Sequence, residues 1–110
     1  MSFQHRDLAA GRWQNLSFIE QLANVGSEVE RALNWRQKKK ADYSLLAFDR
    51  ALELLGLTIT DPRHCHRLRE LTRLREVLLD YFLGDNQYAS SDKSWRNYFY
   101  AFGYAASLKR

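Results

Sequence analysis

Proline occurs once in the 110 residues, at position 62, and glycine five times, and no Asn-Gly or Asp-Gly joins two alternating apolar runs. Residues that tolerate a helix therefore run almost without interruption, and hairpin punctuation is missing. The chain must bury its apolar side chains with helices rather than with a sheet. The fold class read from this is all-α, a four-helix antiparallel bundle with up-down topology, since short connections place sequential helices side by side.

The first helix is expected from Ser17, which stands three residues before Glu20 at the spacing of a capping box. Phe18, Leu22, Val25, Val29, Ala32 and Leu33 then share one stripe, while Glu20, Asn24, Ser27, Arg31 and Asn34 share the opposite one. Arg36 to Lys40 breaks the apolar pattern and places positive charge at the negative pole of the helix, so the chain turns there. A second helix is expected from about Ala41 to Leu55 or Ile59, with Leu45, Phe48, Leu52 and Leu55 as its core stripe. Thr60-Asp61-Pro62 is a stop and restart, because proline suits a first helical turn and Thr60 or Asp61 can cap it. The third helix buries Leu68, Leu71, Leu74, Leu78, Tyr81 and Phe82 and ends at Gly84. A serine of the polar connection 85–92, or Asp92, caps the fourth. Residues 1–14 are expected to be loosely held, and 15–110 to form a single domain.

The fourth helix is the unusual one. Six aromatic residues fall between Trp95 and Tyr104, and at about 100° per residue they divide between two faces. Trp95, Tyr98, Phe99 and Phe102 suit a core, whereas Tyr100 and Tyr104 project from the far side. A strand over Asn97 to Tyr104 is the minority alternative, because aromatics favour strands. The second helix is two-sided as well, with Tyr43, Leu46, Ala47, Leu54 and Leu57 lying across from its core stripe. These outer stripes form a candidate protein interface, with Tyr43, Leu46, Leu54, Leu57, Tyr100 and Tyr104 as the residues that would carry it.

Charge and size narrow the function classes. A chain of this length can bury about 60% to 70% of its unfolded surface, and 45% hydrophobic residues exclude wholesale disorder. No apolar run approaches the roughly 18 residues of a membrane span, so a water-soluble, cytoplasmic protein with no membrane partner is expected. The single cysteine, Cys65, cannot form an internal disulfide and reads as a small, partly buried helical residue. A net charge of +4 rests on 12 arginines and 5 lysines against 13 acids. Candidate nucleic-acid contacts are Lys38, Lys39 and Lys40 at the first turn and Arg63, Arg67, Arg69 and Arg73 on the third helix. From Asp61 to Phe82, however, five arginines stand against four acids, so a salt-bridged solvent face explains most of that charge.

No constellation fixes a chemistry. His64 and His66 lie about 200° apart on a helix and cannot share one ion, and the other histidine, His5, is remote in sequence. Cys65 lacks a base and an orienting acid for nucleophilic catalysis. Asp42, Asp49 and Glu53 suit the wet side of the second helix, and glycine-rich phosphate loops are missing. In outline, a basic all-α bundle of this length resembles the small helical proteins that accompany nucleotidyltransferases or act as ribonuclease toxins in bacterial defence modules. Ribonucleases of that kind carry an arginine four to six residues before a histidine. None of His5, His64 and His66 has one there, so no catalytic residue carries over. The expectation is a nonenzymatic interaction module without metal or cofactor, homodimeric or bound to another protein. The alternative is an accessory protein that binds RNA or DNA.

Overall fold

The computed structural model describes residues 11–108 and is built from four α-helices: α1 Phe18–Gln37, α2 Ala41–Ile59, α3 Leu68–Leu83 and α4 Asp92–Ser107. Short 3-10 turns, Arg12–Asn15 and Pro62–Arg67, lead into α1 and α3. Among the described residues there is no strand, so Asn97 to Tyr104 is helical. Residues 1–10 of the expected loose segment, and 109 and 110, lie outside the described residues. Residues 11–14 belong to the body of the fold, because Trp13 is buried in the core.

Caps explain where the helices begin. The Ser17 hydroxyl accepts from the Glu20 N–H at 3.1 Å while the Glu20 carboxylate accepts from the Ser17 N–H at 3.0 Å. Ser91 and Ser94 repeat this exchange at the start of α4, at 3.0 and 2.9 Å. Asp61 caps the turn at Pro62 by accepting from the Arg63 N–H at 3.0 Å. α1 stops in a Schellman-type turn: Lys39 takes a left-handed backbone, φ 61°, and the Lys40 N–H reaches back to the Trp35 carbonyl at 2.9 Å.

Packing centres on α1. On one side, Ala32, Ser44, Ala47 and Ala51 are all buried, and the Ser44 hydroxyl donates to the Ala32 carbonyl at 2.8 Å across the α1/α2 seam. Trp13, just before α1, donates its indole N–H to Thr58 near the end of α2 at 3.1 Å. These two contacts set α1 and α2 antiparallel. On the other side, Gly26 lies so close to α4 that a Cβ there would stand 2.8 Å from the Phe99 Cβ. The Arg96 guanidinium, a turn before Phe99, pairs with Glu30 at 2.9 Å. α3 fills the remaining side of the core with Leu71, Leu74 and Leu78, and Phe82 stacks on Phe48 with ring centroids 4.4 Å apart.

α2 corrects the expected assignment of faces. Leu45 is 45% exposed, whereas Ala47 and Leu54, expected on the outer stripe, are buried, Leu54 to 3%. The inward arc is Ser44, Ala47, Phe48, Ala51, Leu54, Leu55 and Thr58. An arc containing Ser44 and Thr58 lets α2 approach α1 closely, because both hydroxyls find carbonyl acceptors, Ala32 and Leu54. Leu68 and Tyr98, both expected in the core, also reach solvent.

Candidate interaction surface

Tyr100 and Tyr104 stand on the solvent side of α4, 71% and 56% exposed. Their rings stack on each other with centroids 6.2 Å apart and planes 17° from parallel. Leu108, one turn further on, is exposed as well. From Asn97 to Leu108 there is no charged side chain. Beside this stripe an open groove of about 610 Å³ runs between α1 and α4. Ala23, Gly26, Ser27 and Gly103 keep it shallow, and Trp95, Phe99 and Tyr100 give it an aromatic side. Among the described residues, Trp95 Nε1 is buried without an acceptor.

The expected six-residue interface is therefore not one surface. Leu54 is in the core and Leu57 is half-buried. Tyr43 and Leu46 are exposed, but they lie at the end of the molecule where α1 turns into α2. There the Tyr43 ring packs on Trp35 at 4.8 Å, and the Lys38 ammonium lies 5.4 Å over the same Trp35 ring.

The basic candidates also separate. Arg67 sits 4.2 Å over Phe18, the first residue of α1, whereas Lys38 to Lys40 follow its last residue. A 20-residue helix, about 30 Å long, separates the two groups. Several of the arginines are already engaged. Arg63 clamps Asp61, with Nη2 to Oδ2 at 2.7 Å, and donates to the Leu16 carbonyl at 2.8 Å. Arg73 lies 4.7 Å over the Tyr88 ring, whose hydroxyl donates to Glu76 at 2.9 Å. The open hollow along this part of α3 includes Glu70 and Glu76 with Arg67, Arg69 and Arg73, so its charge is mixed.

The pair His64 and His66 divides as their spacing requires. His64 is buried with its Nε2 3.0 Å from Gln21 Oε1, whereas Cys65 and His66 are exposed. The exposure of Cys65 corrects its expected partial burial: in the 3-10 turn Pro62–Arg67 the inward position goes to His64. No group of three His, Cys, Asp or Glu converges among the described residues.

Sequence reasoning overlooked a buried polar cluster around Gln21. Its amide donates to the Trp13 carbonyl at 2.9 Å and to Asp61 Oδ2 at 3.2 Å. The Arg63 guanidinium, helped by the Arg63 and Gln21 N–H groups, holds the Asp61 carboxyl far below the usual carboxylate range despite desolvation. Burial lowers the His64 pKa, opposed by the Asp61 charge and reinforced by Arg63 and Arg67. The bonds of this cluster join the N-terminal turn, α1 and the start of α3.

These features define an all-α bundle whose fourth helix carries, from Asn97 onward, an uncharged aromatic outer face, with Lys93 and Arg96 one to two turns before Tyr100. Compared with protein-family models, curated proteins and solved structures, the chain matches none.

Proposed function

We propose that the protein is a nonenzymatic interaction module that forms a homodimer through the outer face of α4. The observation that carries this reading is the exposed, mutually stacked pair Tyr100 and Tyr104 in a stretch, Asn97 to Leu108, with no charged side chain. Tyrosine is enriched and charge depleted at the centres of protein interfaces, because a ring buries large area at little entropic cost while an unpaired charge resists dehydration. A second copy brings the same uncharged stripe, which is what an isologous contact about a two-fold axis requires. Cys65, exposed and the single cysteine of the chain, is in keeping with a reducing compartment such as the cytoplasm. No described helix is long and apolar enough to cross a membrane.

Light scattering coupled to size-exclusion chromatography tests the proposal. The wild type is expected at dimer mass at micromolar concentration. Tyr100→Glu and Tyr104→Glu are expected at monomer mass with unchanged helical circular dichroism, each weakening association by about 30-fold or more if it removes a central anchor. A wild type that is monomeric throughout the micromolar range sinks the proposal.

A further inference from the structure

The corner where α1 turns into α2 combines features that the dimer surface does not use. Lys38, Lys39 and Lys40 are consecutive and exposed. Tyr43 is 55% exposed and lies on Trp35 with centroids 4.8 Å apart and planes tilted by 32°. One face of the Tyr43 ring is therefore covered by Trp35 while the other remains open. Lys39 occupies the left-handed position of the Schellman turn, where glycine avoids the steric cost of a Cβ. A lysine there strains the backbone, and its gain is an extra charge in a turn pinned by the Lys39 N–H to Arg36 and the Lys40 N–H to Trp35, at 3.0 and 2.9 Å.

We propose that this corner is a stacking site for single-stranded nucleic acid, with the open face of Tyr43 taking one base and the three lysines contacting the flanking phosphates. Unpaired bases stack on aromatic side chains irrespective of sequence, and a cationic surround tracks the backbone. Trp35 is the backing that holds Tyr43 in place, itself flanked by the Lys38 ammonium at 5.4 Å. An extended anionic membrane fits the corner less well. Asp42, which lines the same hollow as Lys39, Lys40 and Tyr43, and exposed Asp49 would both be pressed against a flat negative surface, whereas a single strand can seat its phosphates on the lysines and turn away from the two carboxylates. The proposal is independent of dimerisation, since the corner and the α4 tyrosines share no residue.

The test uses the full chain with fluorescently labelled 12-nucleotide oligouridylate and oligothymidylate, followed by anisotropy and by tryptophan emission. Trp13 and Trp95 are buried, so quenching on binding reports Trp35. Three phosphate contacts predict that affinity falls on the order of twentyfold for a fourfold rise in salt. Tyr43→Ala is expected to weaken binding about tenfold. Lys39→Gly is the decisive variant, because it relieves the backbone and so keeps or raises stability while reducing affinity and the salt slope. No binding at low salt overturns the proposal. So does binding untouched by Tyr43→Ala, equal affinity for base-free polyphosphate, or binding to phosphatidylserine vesicles but to neither strand.

Discussion

Asp61, His64 and Gln21 show how polar residues can be core residues when their charge and amide groups are paired. Asp61 is fully buried as a carboxylate because Arg63 and Gln21 and a backbone N–H surround it, and removing one partner would strand a buried charge. The sign of the pH dependence follows from the folded pKa values. His64 is shifted below the ordinary 6.5, so the unfolded chain takes up a proton first, and stability present above pH 6.5 is lost as the pH falls below it. Asp61 is shifted below the ordinary 3.8, and its contribution is lost only as the pH falls below that value. Thermal unfolding of the wild type is therefore expected to show Tm declining in two limbs, first below pH 6.5 and again below pH 4. His64→Gln should lower Tm at pH 7 but flatten the first limb. An unchanged first limb in that variant would place the titration elsewhere. This cluster was illegible in the sequence because its members are spread from Trp13 to His64 and each has a commoner surface or capping role. Asp61 was recognisable as a cap, and its burial was not.

At the scale of the element, glycine separates packing within the chain from packing beyond it. A Cβ at Gly26 would meet the Phe99 Cβ at 2.8 Å, and Phe99 is itself buried, so neither side can yield cheaply. Gly26→Ala is expected to destabilise the fold by about 1–3 kcal/mol in urea unfolding, the usual cost of overpacking. At Gly103 a Cβ would meet nothing within 4 Å, although the position lies inside α4. Gly103→Ala should therefore stabilise the chain by about 0.4–1 kcal/mol, because alanine restricts the unfolded chain and suits a helix. Gly103 also lines the groove beside the Tyr100–Tyr104 stripe, so weaker association of Gly103→Ala in light scattering, beside its higher stability, would extend the proposed dimer contact into that groove. The helices themselves were legible: the α1 stripe, the Ser17–Glu20 capping box and the opposed faces of α4 all follow from a period of 3.6 and the chemistry of caps. The faces of α2 were not. With Leu45, Leu46, Leu52, Leu54, Leu55 and Leu57 spread round the helix, apolar period cannot choose a side, and the choice falls to Ser44, Ala47 and Ala51, whose small size admits α1. The Tyr100–Tyr104 surface was readable because core and outer aromatics occupy distinct angles. Its separation from Tyr43 was not, since only the tertiary arrangement places the two at different ends.

Across the whole molecule, burial is unevenly shared. α1 and α2 bury eight and seven residues, whereas α4 buries only Trp95 and Phe99 and leaves its outer tyrosines in water. The seam between α1 and α2 is close and continuous from Trp13–Thr58 to Ala32–Ser44, and it should be the last part of the fold to open. α4 is held by Phe99 against Gly26, by the Arg96–Glu30 pair and by the hydrogen bond from the Tyr81 hydroxyl to Asp92. With only Trp95 and Phe99 buried, it is expected to open before the α1/α2 seam. The proposed self-association would change this in a measurable way, because a partner that binds only the closed α4 stabilises it by mass action. Amide hydrogen exchange is expected to be slowest in α1 and α2 at every protein concentration. In α4 it should slow as concentration rises through the dissociation constant, by about threefold for each tenfold rise in total protein once α4 opening requires the dimer to part, because the monomer fraction of a homodimer falls with the square root of concentration. In Tyr104→Glu the α4 amides should stay fast and lose their concentration dependence while those of α1 are unaffected. Concentration-independent protection of α4 equal to that of α1 would mean that the fourth helix is stable without a partner, and its exposed tyrosines would then need another explanation.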